Sequence, residues 1–244
     1  MNNVYSARRG ERRMAGYGTL RKVPKDRLAV SKPVWWLETR MHFSFADYYN
    51  PDNICFGALR VCNDDIVRGG GNFGRHTHKD AEIFTYVVQG ELSHRKAGEH
   101  SWERLGRGCL QYLSAGTGVA HEEANQGKER LRYVQVWVTP AQTGRVPQYG
   151  SINIQQVDRR DCLLRILRGT GPVLKWAGCR DGSATAAKLQ QDVNVFVSEC
   201  NDGIKFEVRL GRGRQLYALC IEGRTKLAGT ELTEGDAMEV QAPY

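Results

Sequence analysis

The chain has 244 residues, of which 41% are hydrophobic and 25% are charged, and these are the proportions of an ordinary globular protein. No run of about 18 uncharged apolar residues occurs, and the first thirty residues contain no apolar segment, so the sequence predicts neither a transmembrane helix nor a secretory signal peptide. The seven cysteines include no C-x-x-C pair, which favours a reducing compartment over a disulfide framework. We therefore expect a cytoplasmic protein, with the nucleus as the alternative location.

The positive charge of the chain is concentrated at its N-terminus. Residues 1–30 hold eight basic side chains against Glu11 and Asp26, and so carry +6 of the formal net charge of +8. We interpret residues 1–18 as a basic, flexible arm. Contact with nucleic acid or a membrane surface, or a role in organelle targeting, is the alternative for this arm. Because the rest of the chain is nearly neutral, we expect neither nucleic acid nor a membrane as a partner.

The remainder of the chain is patterned as short strands. Residues 83–88, 133–138 and 193–197 are β-branched and aromatic runs of strand length. Residues 204–210 alternate apolar and charged side chains, as a half-buried strand does. Glycine-containing turns separate these runs at intervals of about ten residues. This pattern predicts an all-β sandwich or barrel.

A faint internal repeat predicts two copies of one β-domain. In residues 86–92 and again in residues 219–225, an apolar strand ends at a residue followed by glycine, and a second turn glycine comes later. Prolines and glycines cluster between residues 139 and 150, as expected of a linker. We therefore predict an N-terminal domain over residues 19–139 and a C-terminal domain over residues 151–244.

All six histidines lie between positions 42 and 121, so chemistry based on imidazole is confined to the predicted N-terminal domain. His76 and His78 are two residues apart, and His121 and Glu123 repeat that spacing. Because side chains at i and i+2 point to the same side of a strand, the two pairs can bring three imidazoles and one carboxylate together inside a barrel. That donor set suits divalent iron, nickel, copper or manganese with open positions for substrate or dioxygen, and a closed zinc site less well.

Other residues near these pairs receive different interpretations. We expect His42 to be a packed structural histidine, and His94 and His100, which lie among charged residues, to be on the surface. Glu82 is either a further ligand or a hydrogen-bond acceptor that orients a histidine. Glu122 lies on the opposite strand face from Glu123, in solvent or in a salt bridge. The five tryptophans are interpreted as core or edge aromatic residues rather than as substrate-stacking rings.

The spacing of these residues resembles the cupin motifs, and longer runs resemble the pirin family, in particular the bacterial pirin-like quercetinases. Gly70, His76, His78, Glu82 and Gly90 nearly reproduce the first cupin motif. The runs that carry the pirin resemblance are HFSFADYYNP at 42–51, GALRV at 57–61, FGRHTHKDAEI at 73–83, TYVVQG at 85–90, SAGTG at 114–118 and HEE at 121–123.

The resemblance implies an all-β bicupin, in which two tandem antiparallel β-barrels of jelly-roll type follow one another. It implies one divalent metal ion in the N-terminal domain and none in the C-terminal domain. The family's ligands fall on His76, His78, His121 and Glu123, the same four residues that strand geometry selects. Iron(II) is the ion that the resemblance implies first, with nickel, copper, manganese and zinc as alternatives.

Two functions follow from this resemblance. The first is a quercetinase-type dioxygenase that opens the ring of a small aromatic, flavonol-like substrate with dioxygen, in which Glu123 is both a ligand and the base that takes the hydroxyl proton. The alternative is an iron-dependent, redox-sensing transcriptional coregulator that binds a protein partner without turnover. A metal-binding stress or storage protein is a third interpretation. The likeness to the quercetinases favours the dioxygenase, for which we expect a monomer.

Overall fold

The computed structural model describes residues 11–14, 18–172, 178–181 and 187–242. In these ranges the only helical elements are α1 (Gln156–Arg159) and a 3-10 helix at Lys25–Arg27. Neither element has the length and hydropathy that a membrane-spanning helix requires. All other regular structure in the described ranges is β-strand, and the predicted all-β class is confirmed.

The strands that precede α1 are β1 (Glu11–Met14), β2 (Gly18–Val23), β3 (Ala29–Val34), β4 (Leu37–Met41), β5 (Leu59–Val67), β6 (Asn72–His78), β7 (Glu82–Gln89), β8 (Leu92–Lys96), β9 (Glu103–Leu105), β10 (Cys109–Ser114), β11 (Val119–Ala124), β12 (Leu131–Val138) and β13 (Gln148–Asn153). The strands that follow it are β14 (Leu163–Arg168), β15 (Cys179–Asp181), β16 (Ala187–Lys188), β17 (Val195–Val197), β18 (Gln215–Leu219), β19 (Arg224–Leu227), β20 (Thr230–Thr233) and β21 (Ala237–Gln241).

Main-chain contacts divide the chain into two compact units. One unit comprises residues 29–208, and the other combines residues 1–28 with residues 209–244. The predicted linker at residues 139–150 lies inside the first unit, and its last residues begin β13, which pairs with β10. The domain boundaries drawn from the sequence stay a prediction.

In the unit of residues 29–208, two antiparallel sheets face each other. The larger sheet has the strand order β13-β10-β7-β12-β5-β4-β3, and the smaller has the order β6-β11-β8-β9. Val87 and Tyr133 from the larger sheet share a buried core with Leu92 and Leu105 from the smaller one. This core holds the two sheets together.

The larger sheet is buried on both faces. Its second face packs Phe84, Leu110 and Val138 against Ile154 and Leu164 from the chain beyond β13. Burial on both faces explains why β7 and β12 read as nearly continuous apolar runs rather than as alternating ones. The strands predicted at residues 83–88 and 133–138 are thereby confirmed.

The later part of the same unit agrees less well with the sequence pattern. β14 pairs in parallel with β15 and β16 and antiparallel with β17, which confirms part of the strand predicted at residues 193–197. The strand predicted at residues 204–210 is wrong, because this segment is irregular. Phe206 and Val208 of this segment are partly buried, and the charged side chains next to them are exposed, so burial still alternates along the segment. A strand also needs a neighbour to complete its hydrogen bonds, and this segment pairs with none in the described ranges.

The second unit contains a sheet with the strand order β1-β2-β21-β18 and a hairpin of β19 and β20. Its core is formed by Cys220, Leu232 and Met238, with Leu20 and Val240 packed against them. The basic arm predicted over residues 1–18 thus includes strand β1, which pairs with β2. Residues 1–10 and 15–17 of that arm lie outside the described residues.

Candidate metal centre

Three histidines converge on adjacent strands of the smaller sheet. His76 and His78 lie on one face of β6, and His121 on β11 is directly opposite His76. One ring nitrogen from each lies within 4.8 Å of the others, and the Nε2 atoms of His78 and His121 are 3.0 Å apart. The structure therefore brings together the three imidazoles that the two i/i+2 pairs predicted.

Two of these rings, those of His76 and His121, have a hydrogen-bond partner at Nδ1. Their Nε2 atoms are therefore available to bind a metal ion. His76 Nδ1 lies 3.0 Å from the carbonyl oxygen of Gly74, to which it can donate. His121 Nδ1 lies 3.0 Å from Nε2 of His94. A bond at Nδ1 fixes the ring tautomer and frees Nε2 for a metal, as is usual for metal-binding histidines.

Burial keeps two of the rings neutral. Burial, together with the smaller effect of the neighbouring imidazoles, lowers the pKa of His78 to about 4 and that of His121 to about 2. At neutral pH these two rings therefore carry no charge, which is the form that binds a metal ion.

Glu123 lies beside this cluster on β11. Its side chain is only 4% exposed, and Oε2 is 3.9 Å from Nε2 of His76 and within 3.5 Å of Nε2 of Gln135. The other oxygen, Oε1, is buried and has no hydrogen-bond partner among the described residues. Burial, and secondarily the charge of Asp65, raises the pKa of Glu123 to about 7. A buried carboxylate with an oxygen left over fits the donor set of a divalent metal site.

The pairing of β6 with β11 contains a β-bulge at Glu123. Glu122 pairs with Arg75 and Ala124 with Asn72, so two residues of β6, Phe73 and Gly74, lie opposite Glu123 alone. Gly74 has φ +66°, a conformation that glycine adopts without strain. The same glycine supplies the carbonyl that accepts from His76.

Glu122 points away from the histidines, as strand parity predicted. It accepts a hydrogen bond of 2.7 Å from Arg95 on β8, and both side chains are partly exposed. Glu123 instead lies opposite His94 on the same neighbouring strand.

The larger sheet supplies the opposite wall of the site. The Trp137 ring meets His78 edge-on at 4.9 Å and Phe45 at 5.4 Å, and its Nε1 donates to Gln135 Oε1 at 3.0 Å. Trp137 is partly buried and contacts a histidine of the cluster, and the interpretation of the tryptophans as core or edge residues stays a prediction. The place of Trp137 two residues after Gln135 on β12 puts it on the face that looks towards the histidines.

A row of polar side chains crosses the same wall. Register places Gln111, Thr85, Gln135 and Asn63 side by side on four successive strands. Gln111 is fully buried, and neither of its amide atoms has a hydrogen-bond partner among the described residues. The interior next to the histidines is thus polar, whereas the far end is apolar.

Three other predictions about single residues have different outcomes. His94 is not on the surface: it is 1% exposed, because β8 lies between β11 and β9 and turns this ring inward despite its charged neighbours in sequence. Glu82 is buried and accepts hydrogen bonds from Ser114 Oγ and the Gln190 backbone N–H, so it neither joins the cluster nor orients a histidine. His42 is buried and His100 exposed, as predicted.

Comparison with known proteins identifies the class. Residues 23–138 match the Pirin family, and residues 178–243 match the quercetinase C-terminal cupin domain. The chain is 31% identical over 206 residues to the quercetin 2,3-dioxygenase of Escherichia coli K12, which covers 84% of this chain and 83% of that protein. It is 32% identical over 207 residues to a pirin-like protein of Caulobacter vibrioides, with 84% of each chain covered.

A solved structure agrees with this relationship. The bacterial pirin YhhW from Escherichia coli in complex with nickel(II) has a TM-score of 0.71 and 26% sequence identity, and the match covers 91% of this chain and 90% of that one. The chain therefore belongs to the pirin family of cupins, and the predicted bicupin fold is confirmed. The histidine cluster, together with the nickel-bound relative, supports a metal ion in this protein.

Proposed function

We propose that this protein is a metal-dependent dioxygenase of the quercetinase type. The observation that carries the proposal is the convergence of three imidazole nitrogens within 4.8 Å beside a buried carboxylate that has an unpartnered oxygen. The relative from Escherichia coli that bears the name quercetin 2,3-dioxygenase supports the reaction class. The substrates are then a small, flavonol-like aromatic compound and dioxygen.

The residues that would hold the metal are His76, His78, His121 and Glu123. Neutral imidazoles and one carboxylate suit a divalent ion of the iron-to-copper series, and iron(II) is our first choice, with nickel, copper, manganese and zinc as alternatives. When bound, such an ion supplies a positive centre that stabilises a deprotonated enol oxygen and favours reaction with dioxygen.

Glu123 is the residue that we assign to proton transfer. A general base must lie within reach of the proton that it takes, and Glu123 is a buried carboxylate beside the histidine cluster. Its Oε2 faces the amide of Gln135, which can hold the carboxylate in place, and the carboxylate that would bind the metal would also accept the substrate's hydroxyl proton. The Trp137 ring lies beside His78 and contacts Phe45, and the two rings supply apolar surface for an aromatic substrate.

The test is turnover of quercetin by protein loaded in turn with iron(II), nickel(II), copper(II), manganese(II) and zinc(II). We expect loss of the flavonol absorbance and release of carbon monoxide under oxygen with at least one of these ions. The His76→Ala/His78→Ala double variant should lose both the metal, by elemental analysis, and the turnover. The exposed His100→Ala variant is the matched control and should keep both.

Two results would contradict the proposal. If the protein binds one ion per chain but consumes no quercetin with any metal, the site is a metal site without this reaction. If the double variant keeps its full metal content, the ligand assignment is wrong.

A further inference from the structure

A chain of hydrogen bonds leads from His121 to the surface of the protein. Nδ1 of His121 lies 3.0 Å from Nε2 of His94, and Nδ1 of His94 lies 2.9 Å from the hydroxyl of Tyr149. That hydroxyl donates to Glu103, whose second oxygen accepts from Ser151. The chain joins four strands, β11, β8, β13 and β9, which the sheet arrangement brings together.

The order of donors along this chain is self-consistent in one direction. If His121 binds a metal through Nε2, its proton is on Nδ1 and is donated to Nε2 of His94. A neutral His94 then carries its own proton on Nδ1 and donates it to the Tyr149 oxygen. The Tyr149 hydroxyl then donates its hydrogen bond to the Glu103 carboxylate, which acts only as an acceptor. Every donor meets one acceptor, and the chain ends on a charge.

The surroundings hold these groups in place. The His94 and Tyr149 rings are stacked, with centroids 4.6 Å apart and planes 11° from parallel. The ammonium group of Lys96 lies 4.5 Å from the centre of the Tyr149 ring. His94 is 1% exposed, so this ring is enclosed by the protein. Ser151 fixes the orientation of the terminal carboxylate.

We propose that His94, Tyr149 and Glu103 are positioning residues of the metal centre, which hold His121 in the tautomer that directs Nε2 towards His78 and thereby increase the affinity of the site for a divalent ion. This inference rests on His121 being a metal ligand, as in the proposed function, but not on any reaction with quercetin. His76 needs no such chain, because Gly74 of its own strand fixes its tautomer.

The experiment uses zinc(II), which allows nuclear magnetic resonance and supports no redox turnover. Zinc affinity is measured by competition with a chromophoric chelator, and the tautomers of His94 and His121 are determined from long-range ¹H–¹⁵N spectra of the zinc-loaded protein. The variants are His94→Leu, His94→Gln, Tyr149→Phe and Glu103→Gln. Tyr112→Phe and His100→Gln are the matched controls outside the chain.

We expect zinc-loaded wild-type protein to show His121 and His94 both protonated at Nδ1. Loss of a group that orients a metal ligand typically weakens binding about 10- to 100-fold, and His94→Leu should fall in that range. His94→Gln should recover part of the loss, because its amide oxygen can accept from His121. Tyr149→Phe and Glu103→Gln should shift His94 towards a mixture of tautomers and weaken zinc binding, while both controls leave the affinity unchanged.

A protonated Nε2 on His94 in the wild-type protein would overturn the inference. So would zinc affinities of Tyr149→Phe and Glu103→Gln equal to those of the controls, and these two variants decide the question if His94→Leu does not fold. A protein that shows the expected tautomers and affinities but consumes no quercetin would contradict the proposed function and still support this inference.

Discussion

Glu122 and Glu123 are adjacent carboxylates, but Glu122 is partly exposed and Glu123 is buried. Replacing each by glutamine removes a charge from both positions, so a difference between the two variants reports the effect of burial. Glu123 is buried, and its pKa is raised from 4.5 to about 7. Between these pH values the folded protein retains a proton that the unfolded chain has released, so the stability of the metal-free protein falls as the pH rises through this window. Each pH unit corresponds to about 1.4 kcal/mol, so above pH 7 the ionised Glu123 costs the metal-free fold about 3 kcal/mol.

We therefore expect Glu123→Gln to raise the free energy of unfolding of the metal-free protein by up to about 3 kcal/mol at pH near 8, and to change it little at pH near 4.5. The same change should weaken metal binding about 10-fold or more. Glu122→Gln loses a partly exposed bridge to Arg95, which contributes no more than about 1 kcal/mol, and should leave metal binding unchanged.

The assay is urea unfolding in the presence of a chelator at several pH values, combined with metal titration of each variant. If Glu122→Gln carries the pH-dependent stabilisation and the loss of metal, the register of β11 is wrong. If neither variant changes the pH dependence of stability, the argument from the buried carboxylate fails.

Three further changes test other parts of the structure. Arg132 donates two hydrogen bonds of 2.8 Å to buried Asp64, and Arg132→Ala removes both. This change should lower the free energy of unfolding, measured in urea, by about 3–5 kcal/mol. A loss below about 1 kcal/mol would contradict the buried ion pair. Gly116→Ala should lower the free energy of unfolding by about 2 kcal/mol or more, because φ is +45° and the added Cβ would lie 1.9 Å from the carbonyl oxygen of Arg145. An unchanged melting temperature would contradict this backbone conformation. Removal of residues 1–17, which include β1, should leave the metal content unchanged, because the histidine cluster lies in the unit of residues 29–208; loss of the metal would refute this independence.

The sequence by itself determined the features that depend on local strand geometry. Alternation with a period of two predicted the all-β class, and the same parity placed His76 with His78 and separated Glu123 from Glu122. These properties follow from the way successive side chains point to opposite faces of any extended strand. They need no knowledge of which strands are neighbours.

The other features of the fold and of the site depend on which strands are neighbours in the sheets. The pattern of apolar and polar residues carries little information about that strand order. Residues 204–210 have a strand's alternation but lack a neighbouring strand in the described ranges, so the segment is irregular. Trp137 reaches the histidines only because β12 lies in the sheet opposite them. A pattern of apolar and polar residues says which side chains share a face, and not what that face meets.

His94 illustrates the same limit most clearly. Its sequence neighbours are charged, which predicted an exposed ring, yet it is buried between His121, 27 residues away, and Tyr149, 55 residues away. Contacts at such separations are created when β11 pairs with β8 and β13 pairs with β10. The four candidate ligands could be read from two short stretches of sequence, but the groups that orient one of them became visible only in the tertiary structure, because sheet assembly rather than local periodicity brings them together.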